Sequence, residues 1–414
     1  MCGRATHTRK DLLLFKKVFK AFHYPEFRML WLGACTSSIG TWMQKLAQSW
    51  LVYQLSDSKF MLGLDAFLGE IPIFLFSLIG GVIADRLDRR KLLLCSQFVQ
   101  MACAFILASL FASGLVKVWH ILCLSFTVGL AQAFGGPAYS AIVPSLVDKE
   151  DLPNAIALNS IQFNLARVIG PMLGGLALTQ LGASWCFSLN GISFVAVIIS
   201  LLLLKQNYLP KPTGIGIIDS MKEGINFIRN KEAMTSLVAM AFLTTFLGIP
   251  IIVFLPAIAK DVFHADSQTY TWLLSISGVG SVAGAITVAS LGHVKQKGRL
   301  ALMMLCMFGG FMMAFALSKY LALSFTMLFF AGAAMISVFT MVTSLVQLIT
   351  PNEMRGRVMS AYNVAFRGGM PFGSFIVGAL STSIPLTTLL AVNGGLMLAL
   401  GIYLLTIHRK VANL

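Results

Sequence analysis

The sequence predicts an all-α integral membrane protein, with twelve transmembrane helices in two pseudo-symmetric six-helix bundles. The composition is 57% hydrophobic and 11% charged, with a mean hydropathy of +0.81. Apolar runs of roughly 20 residues recur along all 414 residues, and this is the length that a helix needs to cross a bilayer. Six runs precede a polar stretch near residue 205 and six follow it, which predicts the two bundles.

The basic residues are distributed unequally between the two sets of predicted loops. Of the 31 Lys and Arg residues, 24 fall in the N-terminal segment and the loops on its side, and 4 fall in the opposite loops. A multi-pass protein of the plasma (inner) membrane is expected, and the positive-inside rule predicts that both of its termini lie in the cytoplasm. The net charge of +15 is explained by this topology, so no nucleic-acid partner is expected.

Five regions are predicted in chain order. A cytoplasmic N-terminal segment contains an amphipathic stretch that suits the inner leaflet, although a disordered basic tail is the alternative. Pro210 and Pro212 stop the sixth helix, and the cytoplasmic linker that follows is expected to contain an interfacial helix. The predicted regions are the N-terminal segment at 1–26, the first bundle at 27–204, the linker at 205–233, the second bundle at 234–408 and a cytoplasmic tail at 409–414.

The twelve predicted helices follow the apolar runs. In the first half they cover roughly residues 27–53, 60–84, 89–113, 118–143, 153–181 and 185–204. In the second half they cover roughly residues 234–257, 268–292, 299–318, 320–349, 354–382 and 385–407. Arg167 with Pro171 in helix 5 corresponds to Arg367 with Pro371 in helix 11, which is the internal repetition expected of a duplicated transporter fold.

Ionisable residues inside the predicted helices indicate the functional site, because each costs at least roughly 2.5–3.5 kcal/mol at the bilayer centre. Lys45 lies 12 residues before the outer turn at Asp57, and Glu70 lies 13 residues after it. At about 1.5 Å per residue, both side chains are about 18–20 Å deep and are expected to meet. Asp65 is the alternative partner of Lys45.

Glu70 is the predicted proton-coupling residue, with Asp65 as a second candidate, because an apolar cavity favours the protonated form of a carboxylate. The alternative is a static Lys45–Glu70 ion pair that joins two helices. Arg167 and Arg367 are predicted to bind substrate or, alternatively, to hold helices together near Pro171 and Pro371. The candidates for the cavity are Lys45, Gln44, Gln48, Arg167, Arg367, Asn164 and Asn363.

A charged turn connects predicted helices 2 and 3 with the pattern Gly-x-x-x-Asp-Arg-x-x-Arg-Arg-Lys over residues 81–91. This turn resembles the signature loop of the major facilitator superfamily. Further segments resemble the enterobactin-exporter-like and macrolide-efflux-like branch, the transmembrane secretion effector family, and the likeness extends over about residues 25–408. These segments are Gly-Thr-Trp-Met-Gln at 40–44, Arg-Val-Ile-Gly-Pro at 167–171 and Arg-Gly-Arg-Val-Met-Ser at 355–360.

The resemblance implies secondary active export of an amphipathic small molecule, such as a siderophore or a hydrophobic drug, by proton antiport with alternating access. It also implies that Asp85 closes a gate by facing the N-terminus of helix 11. The bases of the turn would complete this charge network or only enforce topology. The predicted gating residues are Gly81, Asp85, Arg86, Arg89 and Arg90.

Two alternatives remain for the function: a lipid or lysolipid transporter (a flippase) of the same fold, and a non-transporting membrane receptor or assembly partner. The sequence has no phosphate-binding Walker loop, no metal-binding cluster and no nucleophile–base motif. No enzyme activity, metal or cofactor is therefore expected. The expected partners are a small-molecule substrate, protons and membrane lipid, and the chain is expected to be monomeric.

Overall fold

The computed structural model describes residues 19–204, 217–290, 296–351 and 353–414, without the side chains of residues 217–221. The predicted amphipathic N-terminal stretch and the first part of the linker fall mostly outside this description. The first half contains α1 (Pro25–Ser56), α2 (Lys59–Ala84), α3 (Arg89–Ala112), α4 (Val118–Ile142), α5 (Leu152–Gln180) and α6 (Ala183–Leu203). A linker helix spans Ile217–Arg229.

The second half contains α7 to α12. Helix α7 has three consecutive pieces, Glu232–Gly248, Pro250–Val253 and Leu255–Asp261. The others are α8 (Ser267–Ser290), α9 (Lys297–Leu317), α10 (Leu321–Ile349), α11 (Arg355–Leu380) and α12 (Leu386–Thr406). The described residues thus form twelve long helices that pack six with six, and they contain no strand, so the predicted all-α fold is confirmed.

Ten of the twelve helices are long and apolar enough to cross a membrane by composition. The two that do not meet this criterion are α1 and α11. Both carry polar side chains at least two turns from either end, including Gln44, Lys45 and Gln48 on α1 and Asn363 and Arg367 on α11. Their low hydropathy therefore comes from the residues that the sequence assigns to the interior of the protein.

Proline residues divide α7, which was expected to be a continuous helix. Pro250 is the first residue of the second piece and Pro256 is the second residue of the third, because proline has no N–H to donate to the preceding turn. The Asn393 side chain of α12 donates a hydrogen bond of 3.1 Å to the Leu247 carbonyl next to the first break. A freed backbone group at membrane depth is thereby satisfied within the protein.

The two halves meet mainly on the side remote from the chain termini, here called the opposite face; the other side is the terminal face. Helix α2 contacts α11 through interleaved aromatic rings of Phe60, Phe67, Phe74, Phe372 and Phe375. Gly63 permits the closest approach, since an added Cβ would lie 2.6 Å from the Ser374 carbonyl oxygen. The recorded side-chain contacts involve the first two thirds of α2, which begins at the opposite face.

Candidate functional site

Four charged side chains occupy the middle of helices from both halves. Lys45 on α1, Glu70 on α2, Arg167 on α5 and Arg367 on α11 each lie near the midpoint or inner part of a helix of 26 to 32 residues. At about 1.5 Å per residue, all four are at a depth close to the bilayer centre. Charges at this depth face the interior of a bundle or water, because exposure to lipid is costly.

Glu70 of the first half forms ion pairs with one base from each half. One carboxylate oxygen is 3.7 Å from Lys45 Nζ, and the other is 4.0 Å from an Arg367 guanidinium nitrogen. The Lys45 and Arg367 side chains are 57% and 50% exposed, so the bases are solvated. The expected meeting of Lys45 and Glu70 is present, and Arg367 joins them from the other half, which sequence reasoning did not foresee.

Trp42 connects Arg167 to this group of charges. The Lys45 ammonium lies 5.5 Å from the centre of the Trp42 ring, and the Arg167 guanidinium lies 5.9 Å from it. Both distances are within the range of cation–π attraction. Phe163 packs edge-on against the same ring, with 6.1 Å between ring centres. Lys45 and Arg167 thus flank one aromatic ring, and Glu70 connects Lys45 to Arg367. The three bases and one carboxylate give the site a formal local charge of +2.

Asp65 belongs to a different group of polar residues, buried inside the first half. Its side chain is 7% exposed and accepts hydrogen bonds from Gln48 Nε2 at 3.1 Å and from Ser125 Oγ at 2.5 Å. Gln48 Oε1 accepts a bond from Gln44 Nε2, and Gln44 Oε1 accepts one of 2.6 Å from Asn190 Nδ2. This network joins α1, α2, α4 and α6, and it holds Gln44 and Gln48 away from the Glu70 ion pairs.

The two predicted asparagines contribute less to the site. Asn164 donates its side-chain hydrogen bond, 2.8 Å long, to the Ser160 carbonyl of its own helix. Asn363 is exposed and lies one helical turn before Arg367, so it is on the same face of α11. The geometry therefore places Asn363 beside the charged group but gives Asn164 a local partner.

The signature turn fastens helices of the first half to one another. Arg89 donates hydrogen bonds to the carbonyl oxygens of Ala84 and Ala141, at 3.2 and 3.1 Å. Arg90 reaches the Leu202 carbonyl at the end of α6, at 2.6 Å. These bonds connect the terminal-face ends of α2, α4 and α6. Two of the bases thus have a structural role in addition to any role in topology.

Asp85 is paired with Arg89 in this structure, at 3.4 Å, and its expected contact with the N-terminus of α11 is not among the recorded interactions of the described residues. Arg86 is exposed, and an added Cβ at Gly81 would meet nothing within 4 Å. The first turn of α11 binds the linker helix instead, through the ion pair of Arg357 with Glu223. This arrangement fits halves that are apart at the terminal face.

A second set of charged residues, which the sequence analysis did not identify, connects the halves at the opposite face. Asp261 on α7 accepts a salt bridge from Lys59 on α2 at 2.8 Å, and Lys260 donates one of 2.8 Å to Asp57. The Tyr53 hydroxyl is 2.7 Å from both oxygens of Asp261. The available signal was the reversed order of charges in two loops, Asp57 before Lys59 and Lys260 before Asp261.

Comparison with known proteins agrees with this architecture. Residues 17–413 match the family described as "Transmembrane secretion effector". The chain is 25% identical to the enterobactin exporter EntS of Escherichia coli O1:K1 over 397 residues, which cover 93% of this chain and 92% of the exporter. The enterobactin exporter EntS of Shigella boydii serotype 18 matches to the same extent.

Solved transporters share the fold at low sequence identity. The structure of the peptide transporter POT in complex with sulfate superposes with a TM-score of 0.74 at 13% identity, covering 93% of this chain and 94% of that one. The nucleoside transporter NupG superposes with a TM-score of 0.71 at 13% identity, covering 93% and 99%. The predicted family resemblance is confirmed: the chain is a multi-pass membrane protein that belongs to the transmembrane secretion effector family of major facilitator transporters.

Proposed function

We propose that the protein exports an amphipathic small molecule from the cytoplasm by alternating access. The observation that carries this proposal is the ion-pair group at mid-depth, where Glu70 joins Lys45 of one half to Arg367 of the other. A group shared by both halves changes its partners whenever the halves rearrange. The local charge of +2, together with the Trp42 ring, favours an anionic or zwitterionic substrate that has an apolar or aromatic part.

Coupling to protons through Glu70 is the second part of the proposal. Protonation of Glu70 removes both ion pairs at once, so the proton would directly change the contact between the halves. A proton bound at Glu70 from the outer side and released to the cytoplasm would drive substrate outward by antiport. Asp65 is the second candidate, although its oxygens are already occupied by Gln48 and Ser125.

The arrangement of contacts supports a cytoplasm-open state for this structure. The halves are joined at the opposite face, while Asp85 is paired within its own half at the terminal face. Because basic residues are in excess on the terminal face, we propose that both termini lie in the cytoplasm and that the protein lies in the inner membrane. A monomer without catalytic activity or cofactor is sufficient for this function.

A lipid or lysolipid substrate would need an apolar opening between helices that leads to the interior. A lateral groove of about 230 Å³ lies between α1 and α6, lined by Met29, Leu32 and Ile199 among others. Gly33 closes its inner side, because an added Cβ there would lie 2.9 Å from Val197 Cα. The two helices are therefore in contact behind the groove, and this opening does not favour the lipid alternative.

The test measures proton movement by the purified protein when enterobactin or a macrolide antibiotic is added, for the wild type, Glu70→Gln and Glu353→Gln. Glu353 is an exposed carboxylate at the terminal face and serves as the matched control. We expect protons to be released on substrate binding by the wild type and the control, and not by Glu70→Gln. Equal responses in all three proteins would show that Glu70 only joins helices. Substrate binding without any proton movement would exclude antiport.

A further inference from the structure

Five residues at the opposite face form a compact contact between the halves, and we call them the latch: Tyr53, Asp57, Lys59, Lys260 and Asp261. Lys59 and Asp261 form one salt bridge, Lys260 and Asp57 form another, and both are 2.8 Å long. The Tyr53 hydroxyl donates to Asp261, and the Tyr53 ring lies 5.2 Å below the Lys260 ammonium. Every one of these interactions joins the first half to the second.

The charges of the latch are complementary in order. The turn between α1 and α2 presents an acid and then a base, and the end of α7 presents a base and then an acid. Asp57 has a left-handed backbone with φ of 48°, which ends α1 and places its carboxylate towards α7. The two loops can therefore pair in one register without leaving a charge unpaired. Like charges would face each other if the register shifted.

Ion pairs at the terminal face have a different distribution. Asp85 pairs with Arg89 and Lys20 pairs with Asp151, and each of these pairs lies within the first half. Lys410 and Glu232 pair within the second half. Among the described residues, the recorded ion pairs that cross between the halves are thus the two of the latch and the Glu70–Arg367 pair. Charged contacts between the halves therefore concentrate on the side that is closed here.

The position of the latch on α7 makes it suited to repeated opening. Lys260 and Asp261 lie on the last piece of α7, Leu255–Asp261, which is separated from the rest of the helix by two breaks at proline. Breaks of this kind let a helical segment change direction without unwinding the whole helix. The Lys59 and Asp261 side chains are 30% and 32% exposed, so water can replace the partners when the pairs separate.

We propose that the latch holds the opposite face closed in the cytoplasm-open state and must separate for substrate to leave on that side. This inference deepens the proposed alternating-access function and rests on it. Asp261 is its central positioning residue, because it accepts both the Lys59 salt bridge and the Tyr53 hydrogen bond. Substitution of Asp57 should change the closure of the latch less, since the single salt bridge of Asp57 is more exposed.

The expected effects follow from the exposure of each interaction. An exposed salt bridge changes an equilibrium by up to about fivefold, and a hydrogen bond to a charged group by about tenfold or more. Asp57→Asn should therefore shift the ratio of open to closed latch by up to about fivefold, and Asp261→Asn by about tenfold or more. The double variant should shift it by about fiftyfold, which raises a minor open population of about 1% to about a third.

The test is double electron–electron resonance on the full chain in lipid nanodiscs, with native cysteines replaced by alanine. Spin labels at Leu115 and Tyr320 report the opposite face, because both are exposed turn residues, one in each half. Labels at Leu87 and Glu353 report the terminal face in the same way. The unsubstituted protein should give short distances at the opposite face and long ones at the terminal face.

The charge exchange Asp57→Lys with Lys260→Asp keeps the two loops complementary and serves as the rescue variant. We expect Lys260→Asp alone to lengthen the Leu115–Tyr320 distance and the exchange to restore most of the short population. An unchanged distance distribution in the Asp57→Asn/Asp261→Asn variant would overturn the latch, as would a failure of the exchange to restore closure. This readout needs no substrate, so an absence of substrate-linked proton movement would refute the proposed proton coupling without affecting this result.

Discussion

Replacement of Ser125 by alanine tests whether the buried network around Asp65 stabilises the first half. The Ser125 hydroxyl donates to Asp65 at 2.5 Å and accepts from Gln48 at 2.9 Å, and the Ser125 and Asp65 side chains are only 8% and 7% exposed. Water therefore has little access to replace the lost donor. Removing one partner of a buried hydrogen bond leaves the other partner unsatisfied at a cost of about 1–3 kcal/mol, so Ser125→Ala should lower the free energy of unfolding by about that amount.

The measurement is the thermal denaturation of the purified protein in detergent. At about 2 °C for each kcal/mol, the midpoint should fall by about 2–6 °C. Thr127→Ala is the matched control, because Thr127 is exposed on the same helix and bonds its own Cys123 carbonyl; its midpoint should change by about 1 °C or less.

The double variant of Ser125→Ala with Asp65→Asn separates the network from general effects on the helix. If the two side chains interact as the distances indicate, the loss in the double variant should be smaller than the sum of the single losses, by at least about 0.5 kcal/mol. The reasoning fails if Ser125→Ala melts with the Thr127→Ala control, or if the two losses simply add.

Two further outcomes are expected. Gly280→Ala should destabilise the protein by about 1–3 kcal/mol, because the new Cβ would lie 2.0 Å from the Phe329 carbonyl oxygen and would push α8 from α10. Gly310→Ala, with nothing within 4 Å, should be neutral or stabilising in the same melting experiment. Lys20 lowers the pKa of Asp151 through its salt bridge, so this contact stabilises the ionised form. The salt bridge contributes its full stabilisation at a pH above the ordinary pKa of an aspartate, which is about 4. This stabilisation is lost as the pH falls through the lowered pKa of Asp151. Acid should therefore accelerate hydrogen exchange at residues 19–23 relative to the intrinsic exchange rate. This acceleration should be larger in the wild type than in Asp151→Asn.

The sequence predicted the helices and the family from local patterns. Apolar runs give the helix limits to within a few residues because a bilayer leaves the backbone no other partner than its own helix. The break in α7 was missed, since Pro250 and Pro256 are tolerated inside a membrane helix when a neighbour such as Asn393 satisfies the freed carbonyl. The depth of Lys45 and Glu70 followed from counting residues from the outer turn, and the two side chains do meet.

Contacts between distant segments were decided only by the tertiary structure. The sequence placed charges at equal depth, but the packing of α1, α2, α5 and α11 determines that Arg367 joins Glu70 while Asp65 turns to Ser125. The latch is of the same kind, because the complementary order of charges around Asp57 and Asp261 has an effect only once packing brings the two segments together. Asp57 pairs with Lys260 and Asp261 pairs with Tyr53, and each partner is about 200 residues away in the sequence. Helix length is thus set by the thickness of the bilayer, whereas the site and the latch depend on which helices the packing of the two halves brings together.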